Sequence, residues 1–144
     1  MTNILYDFNG QVYPFVRHSQ KFQKDKKDYY DRWMANKQQI GIDVKNWVVA
    51  TGSWLEVKIP IYGIFLFRNE TLYTSDIDNQ LKTVIDALAK MSCTPDDRYY
   101  LRVIAEKMLD KENPGCEIFV TDSLSEFSQR AIDYYNQTRL GESP

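Results

Sequence analysis

The sequence predicts a small single-domain α+β protein, and three observations carry that reading. The chain has 144 residues with 43% hydrophobic content, enough to bury one core and too short for two domains of ordinary size. Segments rich in Ile, Tyr and Phe alternate with segments whose apolar residues recur at helical spacing. Polar connections bearing Gly, Pro, Asn and Asp separate them.

Ile4 to Phe8 reads as extended, followed by a turn at Asn9-Gly10 and a second extended stretch, Val12 to Val16, broken at Pro14. Asp25 to Gln39 reads as a helix that stops near Gly41, with Trp33 assigned to the core, and Asp43 to Ala50 fits helix or strand equally. Glu56 to Arg68 reads as one long strand, where Pro60 implies an edge position or a bulge and Gly63 a second irregularity. Ile77, Leu81, Val84, Ile85, Leu88 and Met91 then fall on one side of a helix. Tyr100 to Leu109 and Cys116 to Val120 flank a polar connection, residues 110–115, and so suggest a hairpin. Thr121, Asp122 and Ser123 offer caps for a last helix whose stripe is Leu124, Phe127, Ala131, Ile132 and Tyr135.

The chemistry concentrates between Asp76 and Asp97. Asp76-Ile77-Asp78-Asn79-Gln80-Leu81-Lys82 is followed by Asp86 and by Asp96-Asp97, so carboxylates and one amine crowd a short span. Mg²⁺ takes oxygen ligands, keeps several waters and usually sits on one to a few carboxylates together with substrate phosphate oxygens. Asp78, Lys82 and Asp86 follow at steps of four and form a stripe pointing away from the core, while the loop Ser92 to Pro95 could return a third carboxylate to the helix start. The same residues also suit a purely structural role: Ser75 is a good N-cap, acids favour a first turn, and Asp78 and Lys82 form an i,i+4 pair. Asn79 and the Asp96-Asp97 pair add nothing to a cap and favour the metal.

Those residues also carry a resemblance. Asp76-x-Asp78-Asn79-x-x-Lys82, then Asp86-Ala87-Leu88, then Asp96-Asp97, resembles the signature of the RusA-type Holliday-junction resolvases, small phage and prophage endodeoxyribonucleases. Gly10-x-Val12-x-Pro14-x-x-Arg17 and the basic stretch ending in Asp28-Tyr29-Tyr30 are similar more loosely, and the likeness covers about residues 3 to 120. It implies a RusA-like mixed β-sheet with flanking helices over residues 1–121. Residues 122–140 would then be a helical extension packed on the domain or on a partner subunit, and 141–144 a disordered tail. It implies that Asp76, Asp78 and Asp97 bind Mg²⁺, with Asp96 as the alternate third ligand and Mn²⁺ as a substitute, and that Lys82 is catalytic. It further implies a homodimer that nicks two strands of a Holliday junction or other branched DNA during recombination or repair. Two departures stand out: Ser75 occupies a place where some relatives carry a basic residue, and residues 121–144 run past the usual end.

A net charge of −2 argues against nucleic-acid binding only as an average. From Arg17 to Lys37 seven basic residues face three acidic ones, a local +4 that leaves the remainder at −6. Arg17, Lys24, Lys26 and Lys27 are accordingly the candidate DNA contacts, set against the plainer reading of a solvated helix face. Cys93 and Cys116 form no metal or redox spacing and read as reduced, buried thiols. No apolar run reaches membrane-spanning length and no signal peptide is recognisable, so the expected location is the cytoplasm and no membrane partner is expected. The other class of function open to the sequence is a non-catalytic module that binds branched DNA or a replication partner.

Overall fold

A computed structural model describes residues 3–15, 24–55 and 59–141, with the backbone alone at 24–26 and 138–141. Its elements are β1 (Asn3–Asn9), α1 (Lys24–Thr51), β2 (Ile61–Asn69), α2 (Ile77–Lys90), β3 (Tyr100–Leu109), β4 (Gly115–Thr121) and α3 (Leu124–Gly141), with a short 3₁₀ turn at Asp97–Tyr99 ahead of β3. The strands form one mixed sheet in the order β1-β4-β2-β3, in which β3 runs parallel to β2 and β4 antiparallel to both β1 and β2. The α+β reading holds.

Alternation along β2 builds two cores. Ile61, Phe65 and Phe67 point to one face, where they join Ile4, Phe8, Ile118, Val120 and the helices α1 and α2. Tyr62, Ile64 and Leu66 point to the other, where Phe119 and Phe127 cover them. Helix α2 buries Val84, Ile85 and Leu88 and packs Ile77, Leu81 and Met91 at the margin, as its helical spacing predicts. Cys93 and Cys116 are free and buried, and burial is the main cause that pushes both thiols above their ordinary value.

Several expectations need correcting. Helix α1 does not stop near Gly41 but runs on to Thr51, burying Ile40, Val44 and Val48. Gly41 is a point of close approach: a Cβ there would lie 2.7 Å from Met91 Cγ and 3.0 Å from the Ala87 carbonyl oxygen of α2. The stop comes at Gly52, whose φ of +67° is open to glycine and which is followed by the Ser53 N–H donating to Val48 O at 3.2 Å. Of the two readings of Pro60, the edge position fails and the bulge is borne out. Pro60 precedes β2, which lies inside the sheet, and the irregularity beside it is a register shift between Ile61 and Tyr62; residues 56–58 lie outside the described ones.

The expected hairpin is also absent. Helix α2 carries the chain from β2 to a parallel β3, while β4 inserts on the other side of β2. Burial explains the choice: β4 is buried along nearly its whole length, as an interior strand must be, whereas Leu101, Arg102 and Val103 of β3 are exposed, as an edge allows. The last helix splits its stripe. Phe127, Ala131 and Tyr134 face the sheet, but Leu124, Ile132 and Tyr135 are exposed. Its cap is Ser123, whose Oγ accepts from the Glu126 N–H at 3.3 Å. Gly141, placed in the tail by the sequence reading, ends the helix, and 142–144 lie outside the described residues.

One buried polar network ties the N-terminal segment to α2. Asn69 Oδ1 accepts from Gln80 Nε2 at 2.8 Å and from Gln11 Nε2 at 3.0 Å, and Asn69 Nδ2 returns a bond to Gln80 Oε1 at 3.0 Å. Gln80 Nε2 also donates to Val12 O at 2.9 Å. Gln80 and Asn69 are 0% and 1% exposed, so the partners are obligatory. Gln80→Leu should therefore destabilise the fold by about 1–3 kcal/mol in urea unfolding, although leucine is the more apolar residue, because it strands the Asn69 amide. An unchanged or raised midpoint would show that the network contributes nothing net.

Candidate active site

The first turn of α2 is presented to solvent while its other side is held down. The Gln80 network fixes the buried side, the Phe15 N–H donates to Asn79 O at 3.0 Å, and Thr83 Oγ donates to Tyr13 O at 2.7 Å. Residues 11–15 thus form a strap along the helix. Trp33 of α1 completes the support, buried and donating through Nε1 to Thr83 Oγ at 2.8 Å.

Asp76, not Ser75, is the N-cap of α2, and its side chain makes no capping hydrogen bond. This weakens the structural explanation for it. Its described contact is the Asn79 amide, 3.5 Å from Oδ2, and Asp78 Oδ1 accepts the Asn79 N–H at 3.0 Å. Both carboxylates belong to exposed residues at one helix end. The expected Asp78–Lys82 pair does not form: Lys82 Nζ instead lies 3.6 Å from Asp86 Oδ2 and 5.2 Å from the centre of the Phe15 ring. The i,i+4 spacing allows either partner, and the amine takes the carboxylate a turn further on.

Asp96 and Asp97 separate in role. Asp96 caps the 3₁₀ turn by accepting the Asp97 N–H at 2.7 Å and lies 3.9 Å from the Arg98 guanidinium. The Asp97 carboxyl is raised above its ordinary value, first by a side-chain hydrogen bond with Asp96, then by desolvation and the charges of Asp96 and Asp86, with Lys82 opposing. The α2 charges that act on Asp97 are thus those of Asp86 and Lys82. Among the described residues no three His, Cys, Asp or Glu side chains lie close enough together to hold an ion by themselves. The donor chemistry still suits Mg²⁺, which keeps several waters and needs only one or two carboxylates beside substrate phosphate.

Two residues outside the sequence-based site set join this face. Asp86 holds the Lys82 amine. Lys37, counted with the basic segment, is buried against the Trp33 ring at 4.6 Å, and its amine is lowered from its ordinary value by burial and then by Lys90. Burial of a lysine on a helix otherwise rich in charge has no signature in sequence. Of the candidate DNA contacts, Arg17 lies outside the described residues, and Lys24 and Lys26 are placed by backbone only. Lys27 is exposed, 3.3 Å from Asp31.

Fold and site together define an α+β chain with acidic side chains displayed along one crossover helix. The family model for endodeoxyribonuclease RusA matches residues 7–121, and the chain belongs to that family. No curated protein matches it. No helix among the described residues is long and apolar enough to cross a membrane.

The effect of Asp96 on the Asp97 carboxyl is directly measurable. In ¹³C-detected pH titrations of the side-chain carboxyls, Asp97 should titrate above the ordinary Asp range, and Asp96→Asn should bring it down, because Asp96 raises it first through the side-chain hydrogen bond and then through its charge. An Asp97 midpoint unmoved by Asp96→Asn would contradict the pairing.

Proposed function

We propose that this protein is a Mg²⁺-dependent endodeoxyribonuclease that resolves Holliday junctions or other branched DNA by paired nicking, acting as a homodimer in recombination or repair, with Mn²⁺ able to substitute. The observation that carries this reading is the family match across residues 7–121, which spans every carboxylate of the α2 face and Lys82. Asp76, Asp78 and Asp97 would hold the cation against a DNA phosphate, with Asp96 reserved for capping. The bound cation would supply a water of lowered pKa and neutralise charge on the phosphoryl oxygens.

The chain's own residues do the rest. Lys82, a compact point charge at 3.6 Å from Asp86, is set to swing from that carboxylate to a phosphoryl oxygen and to stabilise charge in the transition state. Asp86 keeps the amine positioned until substrate arrives. The strap and the Gln80 network hold the helix start still, so little reorganisation is needed at the moment of reaction. A two-fold dimer presents two such faces to a two-fold junction, which is what paired nicking requires.

Asp78→Asn should abolish cleavage of a four-way junction while binding persists in gel-shift titrations, because an amide is a poor Mg²⁺ ligand but leaves the positive surface in place. Full activity in that variant would remove Asp78 from the site. Replacing Lys24, Lys26 and Lys27 together with Gln should weaken binding and flatten the plot of log affinity against log salt, by about 0.9 per lost phosphate contact and so by at most about 2.7 on duplex arms. An unchanged slope would make these lysines a solvated helix face.

A further inference from the structure

We propose that Tyr73 is a stacking platform for an unstacked nucleobase next to the cleaved phosphate, an inference that rests on the DNA-cleaving function proposed above. Tyr73 is 91% exposed, the most exposed of the protein's described large apolar side chains, so it contributes almost nothing to the core. It lies in segment 70–75 between β2 and α2, three residues before Asp76, so the two Cα atoms are at most about 11 Å apart.

The segment is anchored. The Glu70 N–H donates to Gln11 Oε1 at 2.9 Å, the hydroxyls of Thr71 and Thr74 contact each other, and Lys107 Nζ donates to Ser75 O at 2.9 Å. The Lys107 amine also stands 5.8 Å from the Tyr73 ring centre. A free aromatic face with a cation beside it, carried on a fixed support, matches a nucleotide: the ring takes the base and the amine its phosphate. Every base has a π-face, so the contact needs no particular sequence. A base flanking a branch point loses a stacking neighbour where the arms diverge and so costs less to unstack than one inside a duplex, which directs the contact to branched DNA.

The test uses the full chain in EDTA, so that binding is read without cleavage. Affinities of wild type, Tyr73→Ala and Tyr73→Phe are measured on a synthetic four-way junction, and on the same junction with an abasic site at each nucleotide flanking the branch in turn. Tyr73→Ala should weaken binding to the intact junction roughly 5- to 100-fold, the range of one base–aromatic stack. Tyr73→Phe should bind like wild type, and at one abasic position wild type should fall to the affinity of Tyr73→Ala, which should lose nothing more.

No loss in Tyr73→Ala would overturn the platform. So would an equal loss on intact and every abasic junction, or a Tyr73→Phe variant as weak as Tyr73→Ala. Melting temperatures identify any variant that fails to fold, and Tyr73→Phe then carries the comparison with the abasic series. Cleavage of the same junctions in Mg²⁺ is scored separately. Cutting with a failed stacking test removes Tyr73 alone, whereas base-dependent binding without cutting removes the nuclease reading and leaves the platform.

Discussion

The amide of Gln80, wholly shut away from water, is where three distant stretches of chain meet. It bonds Asn69 at the end of β2 and Val12 in the N-terminal strap, and through Asn69 it reaches Gln11. A buried amide left half-bonded costs more than a well-packed hydrocarbon, so this site is held in one arrangement or not at all. The start of α2 inherits that definition. With its inner side fixed, the helix start presents Asp76 and Asp78 to solvent, Asp76 without a side-chain capping bond.

The sheet separates support from display. On one face α1 and α2 bury the main core around Phe65 and Phe67, and the outer side of α2 carries Lys82, Asp86 and the neighbouring Asp97. On the other face α3 covers Tyr62, Ile64, Leu66 and Phe119 through Phe127. The family match ends at Thr121, just before this helix, and α3 lies across the sheet from the acidic face. It leaves Leu124, Ile132 and Tyr135 exposed.

Local pattern made α2 legible: six apolar residues at helical spacing fix both its existence and its buried side, and the acidic stripe opposite follows from the same geometry. Trp33 in the core and the buried cysteines were legible too. Gly41 was misleading because a glycine demanded by helix contact reads like a glycine that ends a helix; only the facing Met91 and Ala87 distinguish them. The polar run 110–115 says that a turn occurs but not which neighbour β4 will choose, a choice made by burial on both faces. Lys82 had two carboxylates at equal spacing, and the acid-before-amine order that favours Asp78 on an isolated helix is overruled by its surroundings. The Gln80 network joins residues that lie 11, 58 and 68 positions apart, with no local trace beyond polar residues in otherwise apolar surroundings.

The most direct measurement is a cleavage assay on a synthetic four-way junction, a fork and a linear duplex, each in Mg²⁺, Mn²⁺ or EDTA. The account predicts paired nicks close to the branch point in either metal, far weaker cutting of the linear duplex, and none in EDTA. A junction that is bound yet left uncut in both metals, or one cut as well in EDTA as in Mg²⁺, would contradict it.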